Sequence, residues 1–237
     1  MGPDEAHGES ARQPRRRSGT AAAPPLEDRS ARKRRTVLES ATALFLRHGY
    51  LGTSMDQVAA YAGVSKPTVY KFFADKERLF SEIVVGTLDR AAEPFRALLA
   101  ILGQTADLEG ELHQLARQYL ATVMQPQVLQ LRRLVIGASH QLPGLAREYY
   151  ERAPEETISA LADSFAGLAG RGLLAITDPR AAAAHFAFLV LGRALDKSLF
   201  CGDQPFSEAE LTAQAESGVT VFLAAYAAAP GQQRSPA

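Results

Sequence analysis

Through residues 31–229 the apolar side chains of this chain recur three and four positions apart, and nowhere do apolar and polar residues alternate for the length of a half-buried strand. A period near 3.6 gives each segment one apolar face. A chain that repeats the pattern from end to end can bury those faces only by packing helix against helix. The expected fold class is therefore all-α. Turn residues cut the pattern into pieces. A first helix is predicted over 31–48, with Val37, Leu38, Ala41, Leu44 and Phe45 as its stripe and Gly49 as its stop. A shorter second helix starts at Thr53 or Ser54, where Gln57 completes a capping box with Ser54, and Gly63 ends it. Ser65 is placed to cap a third helix over 66–73, with Pro67 in the first turn, where a missing N–H costs little. Asp75 caps a long fourth helix reaching about Leu102. Beyond it, helices are predicted over 108–123, 127–139, 145–170 with Pro154 as a candidate break, 179–200 and 207–229. Asp178 with Pro179, and Ser207 with Glu210, mark the last two starts.

Charge is unevenly placed. The chain carries 26 Lys and Arg against 26 Asp and Glu, yet residues 1–80 hold 14 basic and 9 acidic residues, and residues 81–237 hold 12 and 17. A basic N-terminal third suits a polyanion, although scattered surface variation produces such an imbalance too. Residues 1–28 are polar and rich in Pro, Ala, Arg and Glu, and are expected to form a disordered tail, as is the short stretch 231–237. The apolar stretches near 181–192 and 219–229 fall short of the roughly 18 residues a membrane span needs, and the N-terminus lacks the apolar core of a secretion signal. A cytoplasmic protein with no membrane partner is the expectation. Its one cysteine, Cys201, builds no disulfide framework, and nothing near it in sequence would stabilise a thiolate.

The second and third helices, joined by Ala62-Gly63-Val64-Ser65, have the dimensions of a helix-turn-helix, a unit that sets the start of its second helix in the DNA major groove. If Val69 points inward, a 100° step also turns Phe73 inward. Pro67, Thr68 and Lys71 then face away, with Tyr70 and Phe72 on the flanks. That outward set can read DNA; on a plain helical subdomain it would merely face water.

The particular residues add to this. The stretch Thr36-Val37-Leu38-Glu39-Ser40-Ala41, Leu44-Phe45, Gly49-Tyr50, Thr53-Ser54-Met55, Val58-Ala59, Ala62-Gly63-Val64-Ser65-Lys66, Thr68-Val69-Tyr70, Phe73 and Lys76-Glu77-Arg78-Leu79-Phe80 resembles the N-terminal domain of TetR-family transcriptional regulators over residues 32–80. The resemblance implies a homodimer that binds double-stranded DNA, usually a repressor released from a palindromic operator by a small-molecule effector. It implies a DNA-binding domain at 29–80 and a helical ligand-binding and dimerisation domain at 81–230. Carried over by position, Thr53 looks like the residue that caps the second helix and touches a phosphate. Ser65, Lys66 and Thr68 look like contacts at the start of the recognition helix. Lys66 is the one suited to a base edge, since an ammonium donates to guanine O6 and N7. Tyr70 looks like a phosphate-binding tyrosine, and Lys76 like a lysine that meets a phosphate beside the fourth helix's N-terminal amides. Pro67 and Lys71 complete the outward set. Pro67 stands where relatives often have Gly, and Phe72 where His or Tyr is frequent.

No catalytic or cofactor constellation emerges. His7, His48, His113, His140 and His185 show no metal-ligand spacing, so no metal is expected. Gly170-Arg171-Gly172 reads as a helix end and not as a phosphate loop, and Glu148, Glu151, Glu155 and Glu156 read as a solvated helix face. An enzyme using the C-terminal helices, or a helical adaptor, is the rival reading. For an effector pocket between helices the candidates are Tyr119, His140, Tyr149, Phe165, His185 and Phe186, each with core packing as its competing role. The last two helices are apolar around more than half their circumference, which predicts a dimer interface that includes Ala194 and Val221.

Overall fold

Local capping chemistry sets the element boundaries of the computed structural model, which describes residues 29–104, 106–202 and 206–228. The tails expected over 1–28 and 231–237 lie outside the described residues. The helices are α1 (Arg29–His48), α2 (Met55–Tyr61), α3 (Lys66–Phe72), α4 (Lys76–Leu102), α5 (Leu108–Val123), α6 (Pro126–Ala138), α7 (Pro143–Tyr150), α8 (Glu156–Gly170), α9 (Pro179–Phe200) and α10 (Glu208–Tyr226). Asp75, Asp107, Asp178 and Ser207 each accept a first-turn backbone N–H, and Ser207 with Glu210 forms the full capping box. Gly49 and Gly63, with φ of 74° and 64°, end α1 and α2 in the left-handed conformation that a side chain would strain.

Two boundaries differ from expectation. Pro154 does not break the helix; residues Glu151–Glu155 form a π-helical turn that joins α7 to α8 and gives the proline ring room. Glu155 in that turn accepts from the Tyr150 hydroxyl at 3.0 Å and pairs with Arg180 of α9, while Glu148 pairs with Arg152 at 3.3 Å. The expected solvated acidic face is thus partly engaged in ion pairs. At the C-terminus, α10 stops at Tyr226 instead of continuing to 229. Ala227 turns extended and forms an isolated antiparallel bridge with Leu174, the Ala175 N–H reaching the Tyr226 carbonyl at 2.8 Å.

The buried side chains fall into two clusters. One joins α5, α8, α9 and α10 to the C-terminal part of α4, around Phe165, Phe186 and Phe222, whose rings meet at 5.1–5.5 Å. The other holds α1, α2, α3 and the first turns of α4, and it also takes in Leu131, Val135 and Ala138 of α6 and Leu145 and Tyr149 of α7. Helix α4 belongs to both: Leu79 to Leu88 serve the N-terminal cluster and Phe95 to Leu102 the other. Pro94 lies between these two sets inside the helix, where it withholds the N–H that the Arg90 carbonyl would otherwise accept.

Helices α9 and α10 cross closely at Gly218, where an added Cβ would fall 3.0 Å from the Leu189 carbonyl carbon and oxygen. Rigid backbone cannot yield as a side-chain tip can. Gly218→Val should therefore cost about 1–3 kcal/mol in urea denaturation, while Ser217→Ala, at the exposed neighbouring position, should leave the midpoint nearly unchanged.

Candidate nucleic-acid interface and effector cavity

Helix α2, the Gly63 turn and α3 form a helix-turn-helix fixed from beneath by Val58, Ala59, Val69 and Phe73, all buried. Arg34 of α1 adds a second tether: its guanidinium lies 5.0 Å from the Phe73 ring and pairs with Glu82 of α4. With Val69 and Phe73 turned in, Ser65, Lys66, Pro67, Tyr70 and Lys71 are exposed, and Thr68 is half-buried at the edge of the same face. Six of the eight residues expected at a DNA surface thus lie together on α3 and its cap.

Their hydroxyls and charges are disposed differently from expectation at several points. Thr53 does not cap α2. It is buried, its Oγ1 donates back to the Gly49 carbonyl at 2.9 Å, and Ser54 makes the capping box with Gln57. Ser65 occupies the cap position of α3 without bonding the backbone there; its hydroxyl pairs with that of Thr68 at 2.8 Å. Lys66 forms an ion pair across the turn with Asp56 of α2, 2.7 Å from Oδ1, and this hydrogen bond raises the lysine above its ordinary pKa. Lys76 turns toward the α1–α2 loop. Its Nζ donates to the carbonyls of Tyr50 and Thr53, both at 3.0 Å, and sits 4.2 Å from the centre of the Tyr50 ring. Burial lowers the Lys76 pKa and raises that of Tyr50. This lysine therefore braces the loop under the reading head, with one of its three N–H donors beyond those two carbonyls.

Behind the head lie two adjoining cavities of about 230 and 580 Å³. The smaller lies among α4, α5, α6 and the α7–α8 junction, the larger among α6, α7, α8 and α9, and Tyr119, Arg132, Tyr149 and Pro154 line both. Of the six residues expected in a pocket, Tyr119 and Tyr149 are there. Phe165 and Phe186 instead form the packed core against Phe222, His140 is exposed beyond the end of α6, and His185 is exposed with Nδ1 2.6 Å from the Tyr226 hydroxyl. Periodicity marks a buried face but not whether that face meets protein or a void. Arg132 was missed because a charged residue on a helix reads as solvent-facing. The available signal was its place within the apolar run Val128 to Ile136. Its Nε donates to the Tyr149 hydroxyl at 3.0 Å. Among the described residues no group of three or more His, Cys, Asp or Glu side chains is placed to hold a metal, and no helix is long and apolar enough to cross a membrane.

A braced helix-turn-helix joined to a larger helical body defines a DNA-binding regulator. Residues 37–83 match the family described as bacterial regulatory proteins, tetR family, and residues 110–228 match the AefR-like transcriptional repressor C-terminal domain. A structure from Mesorhizobium loti MAFF303099 assigned to the TetR family is 40% identical, aligns over 85% of this chain and 100% of its own, and gives a TM-score of 0.78. The flavonoid-responsive regulator FrrA is 35% identical over 83% of this chain and 97% of its own, with a TM-score of 0.69. Among curated proteins, the HTH-type regulator YhgD of Bacillus subtilis is 42% identical over 30% of this chain and 44% of its own length, and the repressor ComR of Escherichia coli is 36% identical over 32% and 34%. The chain thus spans less than half the length of these curated relatives. The protein belongs to the TetR family of transcriptional regulators.

Tyr119 gives the cavity a spectroscopic handle. Burial pushes its pKa up to about 12, with Arg132 opposing the shift. Because the native state holds the proton more tightly than the unfolded chain, the associated stability is complete below pH 10 and is lost as pH rises toward 12, about 2–3 kcal/mol in all. Urea denaturation between pH 9 and 11 should show a downward slope that Tyr119→Phe makes shallower, and absorbance titration should lose a late-ionising phenol in the same variant.

Proposed function

We propose that the protein is a homodimeric repressor that acts in the cytoplasm on a pseudo-palindromic operator and leaves it when a small molecule occupies the paired cavities. Lys66 would give up Asp56 for a guanine edge, Ser65, Thr68 and Tyr70 would bond the flanking backbone, and Pro67 and Lys71 would border the groove. Thr53 and Lys76 serve this interface mainly from beneath, as buttresses of the loop before α2. Residues 29–80 act as the reading unit and 81–230 as the sensing and dimerising unit.

The observation that carries effector response is shared membership. Leu88, Val135 and Tyr149 line the cavities and also belong to the cluster that supports the helix-turn-helix. An occupant that moves those side chains changes the support of the reading head, and a ligand shifts DNA affinity only through such a difference between states. For the same reason substitution at Tyr149 should disturb DNA affinity as well as release. That FrrA responds to flavonoids supports a regulatory occupant of this kind.

Self-association is supported by the outward faces of α9 and α10. Phe188 is 71% exposed and Val221 50%, beside small residues such as Gly192 and Ala225 that permit close helix approach. Ala194, expected to face a partner, is buried within the protein's own C-terminal core instead. A two-fold axis through this surface would set the two α3 helices about 34–36 Å apart, or a larger repeat.

In mobility-shift assays with the DNA upstream of the gene, Lys66→Ala should cost about 1–3 kcal/mol and relax sequence preference, whereas Tyr70→Phe should weaken all sequences alike. Asp56→Asn should tighten binding, because it releases Lys66 and removes a negative charge from the DNA side. Val221→Arg should sediment as a folded monomer without specific DNA binding; a wild-type protein monomeric at micromolar concentration would overturn the dimer.

A further inference from the structure

The two cavities differ in one respect from ordinary apolar voids: their common wall holds a guanidinium with no acidic partner. The smaller cavity is lined by Arg96, Arg132 and Arg152 against a single acid, Glu156, and the larger by Arg132 against Asp196. Arg96 spends its charge on Asp89 and Glu93, at 3.8 and 3.9 Å, and Arg152 on Glu148 at 3.3 Å. Arg132 has no carboxylate within 4.0 Å among the described residues. Its one hydrogen bond is from Nε to the neutral Tyr149 hydroxyl, and the same ring lies 5.7 Å from the guanidinium carbon. Both terminal amino groups of this half-buried, always-charged side chain therefore remain to donate. The Tyr119 phenol, which also lines both cavities, has no hydrogen-bond partner among the described residues, and burial pushes its pKa up to about 12. It stands as a neutral polar group beside the charge.

An unpaired guanidinium in an apolar wall carries a desolvation cost, and a planar oxyanion offsets it with two parallel charge-assisted hydrogen bonds. We infer that the effector is an apolar organic carboxylate whose oxygens engage the terminal nitrogens of Arg132 and whose hydrocarbon body fills the larger cavity. The Tyr119 hydroxyl lies on the same shared wall to supply a further hydrogen bond. The inference rests on the reading of the cavities as the effector site and adds the chemistry of the occupant. It also names a trigger. The guanidinium that seats the anion on its terminal nitrogens is also bonded through Nε to the Tyr149 hydroxyl, and Tyr149 is one of the side chains that support the DNA-reading head.

The test uses the full-length protein with two probes of nearly equal shape, biphenyl-4-carboxylate and biphenyl-4-carboxamide, titrated calorimetrically at pH 7.5. Wild type should bind the acid at least about tenfold more tightly than the amide, the scale of one charge-assisted hydrogen bond. Arg132→Met should abolish that preference while holding the amide affinity within about twofold, and Arg132→Lys should keep part of it. Should Arg132→Met not fold, the acid-to-amide ratio in wild type and in Arg132→Lys decides the matter. Equal binding of acid and amide by wild type, or an unchanged ratio in Arg132→Met, overturns the carboxylate anchor and leaves the effector cavity standing. Absence of binding by both probes overturns the anchor and the effector cavity together.

Discussion

Everything that distinguishes this chain from a pair of independent helical domains depends on α4 serving two hydrophobic cores. Leu79, Phe80, Ile83, Val84 and Leu88 are buried with the helix-turn-helix, and Phe95, Leu99 and Leu102 with the C-terminal helices. An unbroken helix transmits position along its axis, so neither core can shift without the other registering it. Helices α6 and α7 complete the arrangement by packing into the N-terminal core although they come later in the chain. The reading head therefore rests partly on residues that wall the cavities.

The same economy governs the polar groups of the head. Without DNA, Lys66 is neutralised by Asp56, the Ser65 and Thr68 hydroxyls satisfy each other, and Lys76 holds two loop carbonyls. On the proposed reading, DNA binding at α3 would be an exchange of partners. Affinity is the difference between phosphate or base contacts and the internal contacts surrendered, which favours discrimination between sequences over sheer strength. Lys76 is the exception, since its carbonyls are backbone groups of the loop that positions α2 and giving them up would loosen the unit it serves.

What was legible in the sequence was local. Asp75, Asp178 and Ser207 begin helices because a cap needs only the next three residues, and Gly49 and Gly63 end them because only glycine takes a positive φ without strain. The inward turn of Val69 and Phe73, and so the outward face of α3, followed from helical geometry. The illegible parts depend on partners distant in the chain. Thr53 and Ser54 are equally good caps until burial chooses between them. Lys66 meets Asp56 ten residues away, and Arg133 bonds the carbonyls of Ser198 and Leu199 at the end of α9. Phe165 and Phe186 have the same periodic signature as Tyr119 and Tyr149. Only the tertiary packing leaves space beside the tyrosines and fills it around the phenylalanines.

Pro94 gives α4 a mechanical property that its two cores alone would not. It removes one rung of the hydrogen-bond ladder in the interval between Leu88 and Phe95, where the helix passes from one cluster to the other. From there to Lys76 the arm is about 27 Å long, so a flexure of about 5° at the proline swings the far end by about 2 Å. A hydrogen bond is lost over a smaller excursion than that. Under the proposed effector response, the helix would work as a lever whose fulcrum lies beside the cavities, and an occupant would need to reshape its surroundings only slightly for the change to reach the opposite end.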